Sequence, residues 1–226
     1  RLYGYARWFH PSDEAQEIDW DKFAILGVQK VENIKSTVAL RDTLYSLFSP
    51  IVQGLQIYDA QKPEIFKPEN LLSPDPNAKP VAWQHYGVYL NDQSNIYRSI
   101  RTNKISHTSK IFDRMPQFGE ITKASIGDNL ICVVPLTLQT NGSATYPKTE
   151  IASLNRLKSE LSNIGFSDGF NQQVNLASVI ITWNVLQHFF PYFDVINTDW
   201  NKVLEETLKS TLFNNQKKDF FVALSK

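Results

Sequence analysis

Arg7-Trp8-Phe9-His10-Pro11 leads, after a short polar stretch, into Ile18-Asp19-Trp20-Asp21-Lys22-Phe23. The same order returns 180 positions later, as Gln187-His188-Phe189-Phe190-Pro191 and Thr198-Asp199-Trp200-Asn201-Lys202-Val203. Between residues 7 and 23, five of 17 positions are identical to their counterparts: Phe9, Pro11, Asp19, Trp20 and Lys22. Chance would give about one, so the match reads as an internal repeat. Beyond it, Val28 falls over Leu208, Leu40 over Phe220 and Leu44 over Leu224. The unit has a physical logic. A helix ends on an aromatic pair before proline, a short polar loop follows, and an aspartate caps the next helix, whose first-turn tryptophan folds back onto the aromatics. The reading predicts two related helical hairpins, one at each end of the chain, packed together.

Outward from the first copy, Trp20, Phe23, Ala24, Gly27, Val28 and Val31 share one helical face, with Asp19 as N-cap. A second helix is predicted from about Ser36, with Leu40, Leu44, Leu47 and Phe48 on one side and Pro50 as its stop. Around the second copy, Leu154, Leu157, Leu161 and Ile164 share a face ahead of Gly165, a predicted C-cap position. Residues 174–189 are apolar nearly all round, as in a helix buried on several sides. Two further helices are expected, from Trp200 and from about Gln216.

Between the ends, helical spacing gives way to β-branched and aromatic runs. Residues 81–90, 96–105, 119–125 and 129–140 read as strands. Residues 91–95 are a long hairpin turn, and Asn141-Gly142 is a tight one. Five prolines in residues 62–80 mark a loop held by packing or a linker. The expected fold class is therefore α+β: a helical bundle built from residues 1–50 and 149–226, with residues 51–148 as a β-rich, sandwich- or barrel-like insert.

Composition narrows the function. The chain has 226 residues, 42% hydrophobic and 12% aromatic, with 23 basic against 23 acidic side chains. Aromatic content at zero net charge excludes a disordered chain. The absence of basic excess argues against a nucleic-acid partner. A single cysteine, Cys132, excludes a disulfide framework, and its place in the run Leu130–Val134 makes it a buried small hydrophobe. No transmembrane segment is expected, because Asn175, Ser178, Asn184, Gln187 and His188 interrupt the most apolar window.

Chemistry-bearing motifs are sparse. Gly165-Phe166-Ser167-Asp168-Gly169 fits G-x-S-x-G, but a nucleophile elbow needs a strand before the serine and the preceding segment reads as helix. No histidine follows His188 to complete a triad, so Ser167 is read as a loop residue. His10, His85, His107 and His188 lack ligand spacing, and no metal or cofactor is expected. The best binding candidates are Trp83, His85 and Tyr86, aromatic residues with polar handles on one strand. The opposing reading places Trp83 and its alternate neighbours in the core.

The stretch Trp183-Asn184-Val185-Leu186-Gln187-His188-Phe189-Phe190-Pro191-Tyr192-Phe193-Asp194, with Asp199-Trp200 and Leu204, resembles the helical segment upstream of the catalytic domain in S41-family serine peptidases, the C-terminal-processing, tail-specific and tricorn-like enzymes. The opening Arg1–Ser12 with Ile18-Asp19-Trp20-Asp21 resembles the N-terminal segment of long bacterial members. The resemblance implies a serine nucleophile activated by a lysine on a following domain. It also implies export to the periplasm or cell envelope, a peptide or protein substrate, and a partner in the downstream catalytic domain of the same chain. No catalytic residue carries over to this sequence. The expectation is a non-catalytic N-terminal region that shapes substrate access or assembly. The alternatives are a carbohydrate- or peptide-binding module using Trp83, His85 and Tyr86, and an interaction scaffold.

Overall fold

The computed structural model describes residues 1–86, 98–103, 114–165, 170–193 and 195–213, with the side chains of Tyr86 and Arg98 outside the description. It is a mixed α+β fold. Four helices open the chain: α1 (Leu2–Phe9), α2 (Asp13–Glu17), α3 (Trp20–Val31) and α4 (Thr37–Phe48). Seven strands follow: β1 (Gln56–Asp59), β2 (Lys79–Tyr86), β3 (Arg98–Thr102), β4 (Ile121–Gly127), β5 (Leu130–Pro135), β6 (Leu138–Thr140) and β7 (Thr145–Tyr146). A short 3-10 turn, Pro68–Leu71, lies between β1 and β2, and helices α5 (Ile151–Ser162), α6 (Gln172–Phe189) and α7 (Trp200–Leu212) complete the described elements.

The Asp19 cap read from sequence is in place, and Ser36, read only as the approximate start of a helix, is a cap as well. Asp19 accepts from the Lys22 N–H at 3.1 Å, and Ser36 caps α4 through the Ala39 N–H at 3.2 Å. Three local differences have local causes. Residues 12–17, read as a polar loop, include α2, because Ser12 accepts from the Ala15 N–H at 3.0 Å and nucleates a turn. α5 stops at Ser162 rather than Gly165, since Asn163 N–H and Ile164 N–H close its last turn on Glu160 and Leu161 carbonyls. The expected strand 129–140 breaks after Pro135, which has no N–H for a ladder, and its two parts enter different sheets. The hairpin turn 91–95, Ser167 and the helix expected from Gln216 lie outside the described residues.

β1-β5-β4 form one antiparallel sheet and β3-β2-β6-β7 another. The main hydrophobic core runs from α1, α3 and α4 through Ile57 on β1 and Leu130, Cys132 and Val134 on β5 to Leu157 on α5 and Leu176 on α6. It crosses the expected domain boundaries at residues 50 and 149, and the helices share it with β5 rather than forming a bundle of their own. A small second cluster, Leu71, Val81 and Leu138, seats the other sheet.

The repeat is visible in three dimensions. The chain leaves α1 at His10 with φ −84° and ψ 122°, and leaves α6 at Phe190 with −77° and 119°. It enters α3 at Asp19 with −72° and 95°, and α7 at Asp199 with −73° and 92°. Tyr3 Oη donates to the Trp20 carbonyl at 3.3 Å, and Trp183 Nε1, at the matching position, donates to the Trp200 carbonyl at 2.8 Å. The copies also meet reciprocally. Trp8 packs on Phe189 with ring centroids 5.4 Å apart, Phe9 packs on His188 at 5.0 Å, and the counterparts Trp8 and His188 lie 5.7 Å apart. Residue i touching the equivalent of j, and j the equivalent of i, is the signature of a two-fold relation.

Candidate functional site

The last carbonyls of a helix have no partner inside it. At the end of α1 these groups are met by one face of β2 and β3. His85 Nε2 donates to the Trp8 carbonyl at 2.7 Å, Trp83 Nε1 to the His10 carbonyl at 3.1 Å, and the Arg101 guanidinium to the Pro11 carbonyl at 3.0 Å. Strand alternation makes this possible: Trp83 pairs with Arg101 and His85 with Ser99 in the β2–β3 register, so all four lie on the same side. Because His85 Nε2 carries the proton, Nδ1 accepts from the Ser99 hydroxyl at 2.7 Å. Burial lowers the His85 pKa, with the Trp8 carbonyl acting in the other direction.

Arg101 also pairs with Asp13, whose carboxylate accepts from the Thr145 N–H at 2.7 Å. Burial alone would raise the Asp13 carboxyl. The Thr145 N–H and the Arg101 guanidinium outweigh it and hold the group below its ordinary value. The Thr145 hydroxyl returns a bond by accepting the Asp13 N–H at 3.0 Å.

His10 is wholly buried behind this joint. The Gln53 N–H donates to its Nε2 at 3.1 Å, so the proton sits on Nδ1 and is donated to the Pro135 carbonyl at 3.0 Å. Burial is the dominant cause that lowers its pKa to about 4, which keeps the ring neutral. His188 is lowered to about 4 as well, chiefly by burial among the rings of Tyr5, Trp8 and Phe9. Its Nε2 and Asn184 Oδ1 are buried without a hydrogen-bond partner and both face the Cα of Gly4, where α1 crosses α6.

Two recesses are lined in part by the first half of α1. One of about 300 Å³ is lined by Tyr5, Ser125, Asn184, Gln187, His188 and Asn201. The other, about 340 Å³, is apolar, between α3, α4 and α7, with Phe23, Val28, Leu40, Leu44 and Leu208 on its walls. Cys132 is fully buried and its thiol is pushed up to about 11, so it offers no thiolate near neutral pH. Among the described residues, no group of three or more His, Cys, Asp or Glu side chains is arranged to hold a metal ion. Among them too, no helix is long and apolar enough to cross a membrane.

Of the sequence candidates, Trp83 and His85 come together, stacked at 6.2 Å, and both polar tips are used on helix carbonyls. The backbone of Tyr86 continues β2, and its side chain lies outside the described residues. Sequence reasoning missed Arg101, Asp13 and Gly4. Arg101 becomes informative only when the β2–β3 register is known, and Gly4 only when its counterpart Asn184 is seen opposite it. The arrangement binds a sheet to the end of a helix, and the Ser99 hydroxyl rests on His85 Nδ1. No family model, curated protein or solved structure matches this chain.

Proposed function

We propose that this chain is the non-catalytic N-terminal region of an S41-like serine endopeptidase, shaping substrate access or assembly outside the cytoplasm. The observation that carries the reading is the use made of the resembling residues. Trp183 is bonded to the Trp200 carbonyl, Asp199 caps α7 through the Asn201 and Lys202 N–H groups, and Phe189 packs on Trp8. These are framework contacts, as expected of markers that precede a catalytic domain. Peptide hydrolysis would then fall to a serine–lysine pair on the following domain. The carbohydrate- or peptide-binding reading needs free polar tips at Trp83 and His85, and those tips are engaged within the fold.

The test is the coding sequence beyond Lys226 together with an assay of the 226-residue chain. A serine–lysine peptidase domain is expected downstream, and no peptide turnover by the chain alone. Turnover by the purified chain that Ser167→Ala abolishes, or an unrelated downstream domain, overturns the proposal.

A further inference from the structure

Helix α4 divides its side chains between two faces. Leu40, Leu44, Leu47 and Phe48 pack on the main core. Asp42, Tyr45, Ser46 and Ser49, at i, i+3, i+4 and i+7, form a polar stripe on the other side. That stripe borders two further recesses. The larger, about 620 Å³, lies between α4 and α5 and is also lined by Arg156 and by the Lys30–Glu160 ion pair, closed at 2.8 Å. The second, about 470 Å³, lies between α4 and the segment after β1, with Gln56, Glu64, Phe66 and Asn70 on its walls. Asp42 and Tyr45 line both, so the two form one groove with the Tyr45 ring between them. Each volume falls within the range of about 300–1,000 Å³ typical of small-molecule sites.

The fold uses the polar groups of this groove only in part. Tyr45 is 49% exposed, and its side chain makes no hydrogen bond or ring contact with the described residues. Asp42 engages its neighbour Arg41 through Oδ1, and Oδ2 receives no donor from the described residues. Gln56 donates its amide N–H to the Ile65 carbonyl at 3.3 Å, while its Oε1 is buried without a partner. A buried acceptor lacking a donor is destabilising, and a ligand hydroxyl would satisfy it. Beside the Lys30–Glu160 pair, Arg41, Lys67 and Arg156 stand against Asp42 and Glu64, so the groove selects neither anions nor cations. A saccharide matches this mixture. Its ring has a C–H face that packs on an exposed aromatic ring, and its hydroxyls both donate and accept. At the larger recess the long walls are helices, whose main-chain groups are bonded internally, so a peptide finds no strand edge there and recognition falls to side chains.

We infer that the groove along α4 binds a neutral oligosaccharide. One sugar ring stacks on Tyr45 with a hydroxyl on Asp42, and its neighbours fill the two recesses, one of them donating to Gln56. The groove shares no lining residue with the Trp83–His85 joint, and the inference does not rest on the proposed function.

Isothermal titration calorimetry of the 226-residue chain with maltohexaose, xylohexaose and chitohexaose tests it, with a blocked alanine–serine hexapeptide as the peptide probe. Saturable binding of at least one saccharide is expected, with an affinity unchanged between about 50 and 500 mM salt, since the ligand carries no charge. Tyr45→Ala should weaken it about tenfold, and Tyr45→Phe, which keeps the ring, by less than about threefold. Tyr192→Ala, which removes an exposed ring outside the groove, should leave it unchanged. Both Tyr45 variants should keep the parent urea midpoint. If Tyr45→Ala lowers it, Asp42→Asn at an exposed acid takes its place and must weaken binding. Absence of binding by all three saccharides at about 5 mM, binding that survives both Tyr45→Ala and Asp42→Asn, or binding of the hexapeptide in their stead overturns the inference.

Discussion

Replacing Gly4 with alanine probes the crossing of α1 and α6. A Cβ built on Gly4 collides with Asn184 Oδ1 and His188 Nε2, and lies 2.7 Å from His188 Cδ2. Neither neighbour can yield cheaply. Asn184 is wholly buried, with its amide donating to the Ile180 carbonyl at 2.8 Å, and His188 is enclosed by three aromatic rings. Forcing extra volume into such a place costs about 1–3 kcal/mol. Against that, alanine gains up to about 1 kcal/mol over glycine in a helix, and less in a first turn. The net expectation is a loss of about 1–2 kcal/mol, a fall in melting temperature of roughly 2–8 °C for a chain of this size. Gly27→Ala is the matched control. It is also helical, but its Cβ would meet only Leu47 Cδ2, at 3.6 Å, an ordinary contact, so it should stabilise by up to about 1 kcal/mol. Urea unfolding followed by tryptophan fluorescence reads both. Equal effects of the same sign at the two glycines would refute the reasoning that the helices touch at Gly4.

Acid should destabilise the fold before the carboxylates titrate. His10 is held at about 4 when folded against 6.5 as a free side chain, so the unfolded chain takes up a proton first. Its contribution is complete above pH 6.5 and is lost as pH falls toward 4, about 3 kcal/mol in all. His85 and His188 act in the same direction, and a flat urea midpoint between pH 7 and 4.5 would contradict this. Trp83→Phe removes the donor to the His10 carbonyl while keeping an aromatic side chain, and should cost about 1–2 kcal/mol in the same unfolding assay. No loss would mean that water replaces the indole N–H. Cys132 should resist an aromatic disulfide reagent at pH 8 in the native protein and react at once in denaturant; native reactivity would show that its burial is wrong.

The helical ends were legible because each signal is local. A capping aspartate beside a tryptophan and an apolar stripe at helical spacing act within a few residues, so Asp19 and Asp199 announce α3 and α7 directly. The repeat was legible for the same reason, since both copies reuse the local code. β1, with four residues, and β7, with two, carry too few side chains for a pattern and exist through their pairing with β5 and β6. The fate of Trp83 and His85 was also beyond local reading. An indole N–H or an imidazole on a strand serves equally to hold a ligand or a helix end, and only the docking of β2 against α1 decides which.

The sequence by itself therefore determined the α+β class, the helix boundaries set by caps and prolines, and the two matching units. Tertiary structure alone decided that the units cross at Gly4 and Asn184, that β5 belongs to the helical core, and that the helix end of the first unit is met by a sheet. The physical reason is range. Capping and amphipathic periodicity act within one or two turns of chain, whereas burial and the satisfaction of helix-end carbonyls depend on segments about 75 to 180 residues away.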